Sequence, residues 1–361
     1  MRPQHERGAN AYGRSMSETS TSSANTGIQP IIETQPERTD LPLAVMPVVV
    51  ASMIPYFKEN ISLLHDVVRL RMYGDFTLDE DTIVERCKDA DAVMVIGFHV
   101  TDSIFNRLTE DSHVRCFAFG GTGVASYINL QAARDRGVRV CNVVRYGDHA
   151  VAEHAFALLM ELARHVGDLN RQVHAGSWEG ADGYALHGKT VGLVGFGGIG
   201  QVFARMVQGF GMKVLVWNSH LDQDAVTRLG VTPVDDMGEM FEQSNIISLH
   251  MPLLTATKGI VTAQSLEHIK PGTLFINTAR AEVIEQGALA KRLARGDVKA
   301  ALDVFEHEPL PADDPLRRVP GIILTPHVAW RNEEAYHNLT RQVFQSVASF
   351  AAGGDFNAVV K

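Results

Sequence analysis

The chain has 361 residues, enough for two domains of ordinary size, each with its own apolar core. A formal charge of −9, with Lys and Arg scattered along the chain, speaks against a nucleic-acid partner. The three cysteines, Cys87, Cys116 and Cys141, lack CxxC spacing and sit in apolar surroundings, so buried thiols in a cytoplasmic protein are expected rather than disulfides or a zinc site. No metal is expected, and with no uncharged apolar run of spanning length, no membrane partner either.

Residues 1–40 are rich in Ser, Thr, Asn, Gln and charge and cannot bury enough surface to order themselves, so a disordered tail is expected over 1–44. The tail lacks the apolar segment of a secretory signal, and Glu18, Glu33 and Glu37 do not suit a transit peptide. From Met46 onward, apolar strands alternate with amphipathic stretches, the pattern of a parallel sheet with helices on both faces. Strands are predicted at 47–51, 68–73, 92–96, 115–119 and 138–142, and a helix over 151–166, with Ala155, Leu158, Leu159 and Leu162 on one face. A polar stretch follows, and then strands at 190–194, 214–217, 246–249, 274–277, 300–304 and 322–324. The helical pattern beyond Asn332 has no strand partner left in this second sheet and is expected to return to the first domain. The expected division is therefore 45–148 with 331–361, and 149–330.

Between the predicted strand 190–194 and an apolar-striped helix lies Gly195-Phe196-Gly197-Gly198-Ile199-Gly200. Gly195 allows a sharp bend, Gly197 allows the backbone to approach a pyrophosphate, and Gly200 allows close packing of helix on strand. The free N–H groups of the helix then face the anion. As a bare pattern this turn is common; following a strand and opening a helix, it predicts dinucleotide binding.

Ligands of an open parallel sheet bind beyond the carboxyl ends of its strands. Asn218, His250, Thr278, Arg280, Asp303 and His327 all fall at or near such ends. Arg280 offers a planar fork of donors for a carboxylate. His327 suits proton transfer because imidazole titrates near neutral pH, and Glu308 suits holding that ring and favouring its protonated form. Together they describe reversible reduction of a 2-keto acid. Each alone also fits a surface charge, a loop residue or a turn, and spacing does not show that the three meet.

The chain resembles the D-isomer-specific 2-hydroxyacid dehydrogenase family from about Met46 to its end. The resemblance is carried by Gly121-Thr122-Gly123-Val124, the segment from Gly147 to His154 that reads GDHAVAEH, the glycine turn, Ser248-Leu249-His250-Met251-Pro252, Asn277-Thr278-Ala279-Arg280, the segment from Leu302 to Pro309 that reads LDVFEHEP, and Leu324-Thr325-Pro326-His327. It implies an α/β protein of two doubly wound parallel-sheet domains, a Rossmann-type cofactor domain inserted in a flavodoxin-like substrate domain, acting on a small-molecule substrate as a homodimer. By resemblance Arg280, Glu308 and His327 are catalytic, and Asp303 orients the nicotinamide carboxamide. The glycine turn with Ile199, Asn218, Ser219, His250, Pro252, Thr257, Thr278 and Ala279 would hold the cofactor. Phe98, Gly121, Thr122, Gly123, Arg280 and Trp330 would meet the substrate, with reaction in the cleft between the domains.

Three departures from the family pattern stand out. Ala281 follows the arginine where Gly is usual, and Val144-Arg145 stands where Pro-Gly is common. Asn218 replaces the acidic residue that accepts from the adenosine ribose and repels a 2′-phosphate, yet no arginine follows it to grip one. NAD is the expected cofactor, with NADP open. In the loop after the third strand, Gly97-Phe98-His99-Val100 supplies aromatic bulk but no strong cation for a phosphate, and Glu308 departs from the glutamine of formate dehydrogenases. Val328-Ala329-Trp330 resembles glyoxylate and hydroxypyruvate reductases, so reduction of one of these acids is expected. A phosphoglycerate or other D-2-hydroxyacid dehydrogenase, or an NAD(H)-sensing corepressor using the Ser/Thr-rich tail, stands as the alternative.

Overall fold

The computed structural model describes residues 29–34, 38 and 40–361; the rest of the expected tail lies outside the described residues. Two seven-stranded sheets form the frame. The first runs β1 (Ile32–Glu33), β3 (Arg69–Met72), β2 (Leu43–Met46), β4 (Ala92–Val95), β5 (Cys116–Phe119), β6 (Arg139–Cys141) and β14 (Ala358–Val360), parallel except at its two antiparallel edges. The second runs β13 (Ile323–Leu324), β12 (Lys299–Leu302), β11 (Leu274–Asn277), β10 (Ile246–Leu249), β7 (Thr190–Val194), β8 (Lys213–Trp217) and β9 (Thr232–Pro233), parallel throughout.

Each sheet buries both faces, as parallel sheets must. Val93, Val95, Phe105 and Phe117 pack on one side of the first, and Met46, Leu70, Met94 and Phe344 on the other. In the second, Leu193, Phe203 and Ile276 oppose Met240, Phe275 and Leu302 across the sheet. Cys87, Cys116 and Cys141 are buried free thiols; burial pushes the Cys87 thiol well above its ordinary range.

Several expectations shift. The strand expected at 47–51 is Leu43–Met46, because Pro47 has no N–H to give the ladder, and Val48 and Val49 are buried outside it. Ile32–Glu33, placed in the disordered tail by composition, forms β1: Ile32 and Glu33 register with Met72 and Arg71, and Arg71 reaches Glu33 at 3.0 Å. The helix expected over 151–166 runs Asp148–Arg164 and stops where His165 takes a left-handed φ of 55°; a second helix, Val166–His174, follows. The C-terminal helix Glu333–Ala351 packs Tyr336, Leu339, Val343 and Phe344 into the first sheet's core. Among the described residues no helix is long and apolar enough to cross a membrane.

Candidate active site

The register of the second sheet aligns the site. Trp217, Val194, Leu249, Asn277, Leu302 and Leu324 are successive Cα partners across six strands, so the residues that follow them stand in one row at the carboxyl edge. That row is Asn218, Gly195, His250, Thr278, Asp303 and Thr325. Polar residues far apart in sequence become neighbours through a single ladder.

At the glycine turn, Gly195 has φ 100°, and a Cβ there would lie 2.6 Å from the His250 carbonyl oxygen, so two backbones meet where no side chain fits. Among the described residues a Cβ on Gly197 would meet nothing within 4 Å, leaving open space beside the N-terminus of the helix Gly198–Gly209, which carries no side-chain cap from them. Ile199 lies in that helix's first turn and packs on the core. His250 and Thr278 are buried, and among the described residues His250 Nδ1 and Thr278 Oγ1 have no partner, whereas His250 Nε2 lies 3.0 Å from Ser248 Oγ. Burial pushes His250 down to about 3, so its ring is neutral at the turn. Open space at Gly197, uncapped helix N–H groups and two orphaned polar atoms on one edge fit a bound dinucleotide.

Elsewhere on the cofactor side the fit is looser. The Asn218 side chain donates to the His220 carbonyl at 2.5 Å, and Ser219 lies beside the His220 ring. Pro252 is exposed on the rim and Ala279 is half-buried. Thr257, expected to meet the cofactor, instead closes the loop around it: its hydroxyl donates to Pro252 O at 2.6 Å and accepts from Leu254 N at 2.8 Å.

His327 follows β13 with φ 52°, a left-handed backbone that a non-glycine residue adopts only when its surroundings hold it there. Its Nδ1 lies 2.7 Å from Glu308 Oε2, and Glu308 Oε1 accepts the Phe305 N–H at 3.0 Å. Burial pushes the Glu308 carboxyl up, but His327, the Phe305 N–H and Arg280 together outweigh it and hold Glu308 below the usual carboxylate range. A carboxylate thus orients the ring and leaves Nε2 as the free nitrogen.

The loop is held by Asp303, which is fully buried. It accepts Val328 N at 3.0 Å, Ala329 N at 2.9 Å and Thr325 Oγ1 at 2.6 Å. His154 on the helix Asp148–Arg164 lies 3.1 Å from Thr325 Oγ1. The carboxylate expected to orient a nicotinamide carboxamide is therefore already engaged in shaping the His327 loop, a role that sequence spacing did not indicate. Asp303→Asn would turn an NH₂ toward an N–H donor, so we expect thermal unfolding to show a loss of about 1–3 kcal/mol, with a fall in kcat. Unchanged melting and turnover would remove this role.

Arg280 extends β11's loop toward the first domain. Asn277 pins that loop, accepting Ala279 N at 2.9 Å and donating to Arg280 O at 3.0 Å. The guanidinium donates from Nη1 to Ala279 O at 2.7 Å, and a Cβ on Gly123 would lie 2.8 Å from Nη2. The loop Gly121-Thr122-Gly123 is fixed by Thr122 Oγ1 to Val143 O at 3.1 Å and Val143 N to Gly121 O at 3.1 Å. Arg280 and this loop thus face each other across the two sheets' ends.

The aromatic wall differs from expectation. Phe98 is 1% exposed and packs in the first domain's core, so its side chain lines no cleft; a strand-end aromatic can turn either way, and here the core took it. Tyr127 and Tyr146, which sequence reading missed, lie close enough to Arg280 to feel its charge, and burial raises both phenols. Trp330 is half-buried, 6.5 Å from Tyr146 and 5.6 Å from Tyr336 between ring centroids.

Residues 156–329 match the family described as D-isomer specific 2-hydroxyacid dehydrogenase, NAD binding domain. The chain is 36% identical over 279 residues to a glyoxylate reductase of Korarchaeum cryptofilum, covering 75% of this chain and 82% of that one. It is 31% identical over 292 residues to a hydroxypyruvate reductase of Blautia hydrogenotrophica, covering 78% and 89%. D-lactate dehydrogenase of Escherichia coli superposes with a TM-score of 0.76 at 28% identity, over 88% of this chain and 99% of that one. The chain belongs to the D-isomer specific 2-hydroxyacid dehydrogenase family, and is an oxidoreductase with a nicotinamide-dinucleotide domain.

Proposed function

We propose that the protein reduces glyoxylate or hydroxypyruvate with NADH, using Arg280, Glu308 and His327. The observation that carries this reading is the His327–Glu308 pair at 2.7 Å on the same sheet edge as Arg280, whose guanidinium abuts the Gly123 loop. When bound, the dinucleotide supplies the hydride to the keto carbon. Arg280 grips the substrate carboxylate and draws on the carbonyl oxygen, while the N–H groups of Gly121 to Gly123 meet the same carboxylate from the first domain. His327 delivers a proton from Nε2 to the carbonyl oxygen, and Glu308 balances the imidazolium and fixes the ring. Tyr127 and Tyr146, within reach of the Arg280 charge, add aromatic bulk on the substrate side, which favours a short acid. The division at 45–148 with 331–361 and 149–330 puts this chemistry between two domains, where closure excludes water.

Following nicotinamide absorbance with NADH and NADPH against glyoxylate, hydroxypyruvate, pyruvate and bulkier keto acids tests the proposal. Turnover is expected with the two short acids and NADH. Cofactor binding without turnover of any acid would instead mark a sensor.

A homodimer in the cytoplasm completes the proposal. The helix Val166–His174 buries none of its residues, and Val166, Val173 and Trp178 are 62%, 52% and 90% exposed. Exposed apolar side chains of this kind suit a second copy. Sedimentation is expected to give a dimer that Trp178→Asp shifts toward monomer; a monomeric wild type would end this part of the proposal.

A further inference from the structure

One acidic residue stands where the proposed cofactor places its own negative charge. Asp148 opens the helix Asp148–Arg164, and its carboxylate lies against the first helical residue of the glycine turn. A Cβ on Gly198 would come within 2.0 Å of Asp148 Oδ2 and 2.6 Å of its Cγ. The Asp148 side chain is only 15% exposed, and among the described residues no side chain caps the N-terminus of the helix Gly198–Gly209 beside it. In a half-buried cleft a carboxylate beside a pyrophosphate is repulsive.

The structure also holds a cation at this place. Arg145 Nε donates to Asp148 Oδ2 at 2.9 Å, while its Nη1 and Nη2 have no acceptor among the described residues. Its backbone is built for the position. Arg145 has φ 54°, and the preceding Val144 is clamped by Gln342 of the C-terminal helix, whose amide accepts Val144 N and donates to Val144 O, both at 3.0 Å. The Arg145 side chain is 77% exposed, so beyond its Nε contact the fork stands open to solvent beside the turn. His250 packs its backbone against Gly195 of the same turn and its ring against Phe203, 5.0 Å between centroids.

We propose that Arg145, anchored through Nε by Asp148, grips the pyrophosphate of the dinucleotide with its free Nη fork, and that Asp148 makes cofactor binding depend on that arginine. The inference rests on the cofactor reading above. Bidentate guanidinium–phosphate pairing supplies the attraction, and the same guanidinium cancels the Asp148 charge. Without Arg145 the carboxylate would face the pyrophosphate uncompensated.

Dissociation constants for the full chain, read by quenching of protein fluorescence with NADH, NADPH and ADP-ribose and by competition with adenosine, test this. Arg145→Ala is expected to weaken the dinucleotide and ADP-ribose roughly ten- to hundredfold and to leave adenosine unchanged, since only the former carry the pyrophosphate. Asp148→Ser placed on Arg145→Ala is expected to regain much of the loss, and Arg145→Lys to fall between. Wild-type affinity in Arg145→Ala, an equal loss for adenosine, or no recovery in the double variant would each overturn the role of Arg145. If the wild type binds neither NADH nor NADPH, it is the cofactor reading that fails, and this inference with it.

Discussion

His327→Ala is expected to lower turnover by roughly 10²- to 10⁴-fold, the range over which a positioned proton donor contributes, while dissociation constants for NADH stay within experimental error. The split follows from placement. The ring hangs from a loop two residues past the sheet edge and is held by Glu308, whereas the glycine turn lies at the other side of β10. Glu308→Gln keeps a hydrogen-bond acceptor for Nδ1 but removes the anion. With the anion that balances the imidazolium removed, turnover in the variant is expected to fall about tenfold or more while NADH binding is unchanged. Glu308 itself is held below the usual carboxylate range, so it is ionised at neutral pH. The stabilisation it draws from His327, the Phe305 N–H and Arg280 is present above an ordinary carboxylate pKa and is lost as pH falls through its depressed value. At 36% exposure that contribution is modest after solvent screening. An active His327→Ala enzyme, or a Glu308→Gln variant with undiminished turnover, would remove the proton-donor assignment.

Much of this site was legible because a parallel sheet converts strand ends into one edge. Once strands were placed near 190–194, 246–249, 274–277 and 300–304, the residues after them had to be neighbours whatever their separation in sequence. The sheet order followed from no local signal, and neither did the antiparallel edges: Ala358–Val360 and Ile32–Glu33 are too short to show a period, and their pairing depends on what the rest of the chain leaves exposed. Side-chain direction was the other blind point. Phe98 and Thr257 sit in matching segments, yet Phe98 turns into the core and Thr257 ties its own loop. Asp303 was identified by position, but its three donors come from Thr325, Val328 and Ala329, which only the folded loop brings to it. Tyr127 and Tyr146 gave no signal in sequence, since an isolated tyrosine reads as packing; their approach to Arg280 is a property of the cleft.

Arg280→Lys is expected to reduce kcat/KM by on the order of a hundredfold or more, with KM raised and kcat lowered together and NADH binding unchanged. The guanidinium does two things at once: Nη1 is tethered to Ala279 O at 2.7 Å, and Nη2 reaches the Gly123 loop. An ammonium has a single centre, so it must give up either the tether that fixes its direction or the fork that matches two carboxylate oxygens. If Arg280 both anchors the carboxylate and draws on the carbonyl oxygen, the loss must appear in the ground state and in the transition state, which is why both constants should move. Gly123→Ala offers an independent approach from the opposite wall, because its Cβ would press to 2.8 Å on Nη2 and displace the fork without altering its charge. Its expected effect is the same in kind and smaller in size. A Lys variant with unchanged KM would show that the carboxylate is held elsewhere, and an unaffected Gly123→Ala enzyme would show that the fork works clear of the first domain.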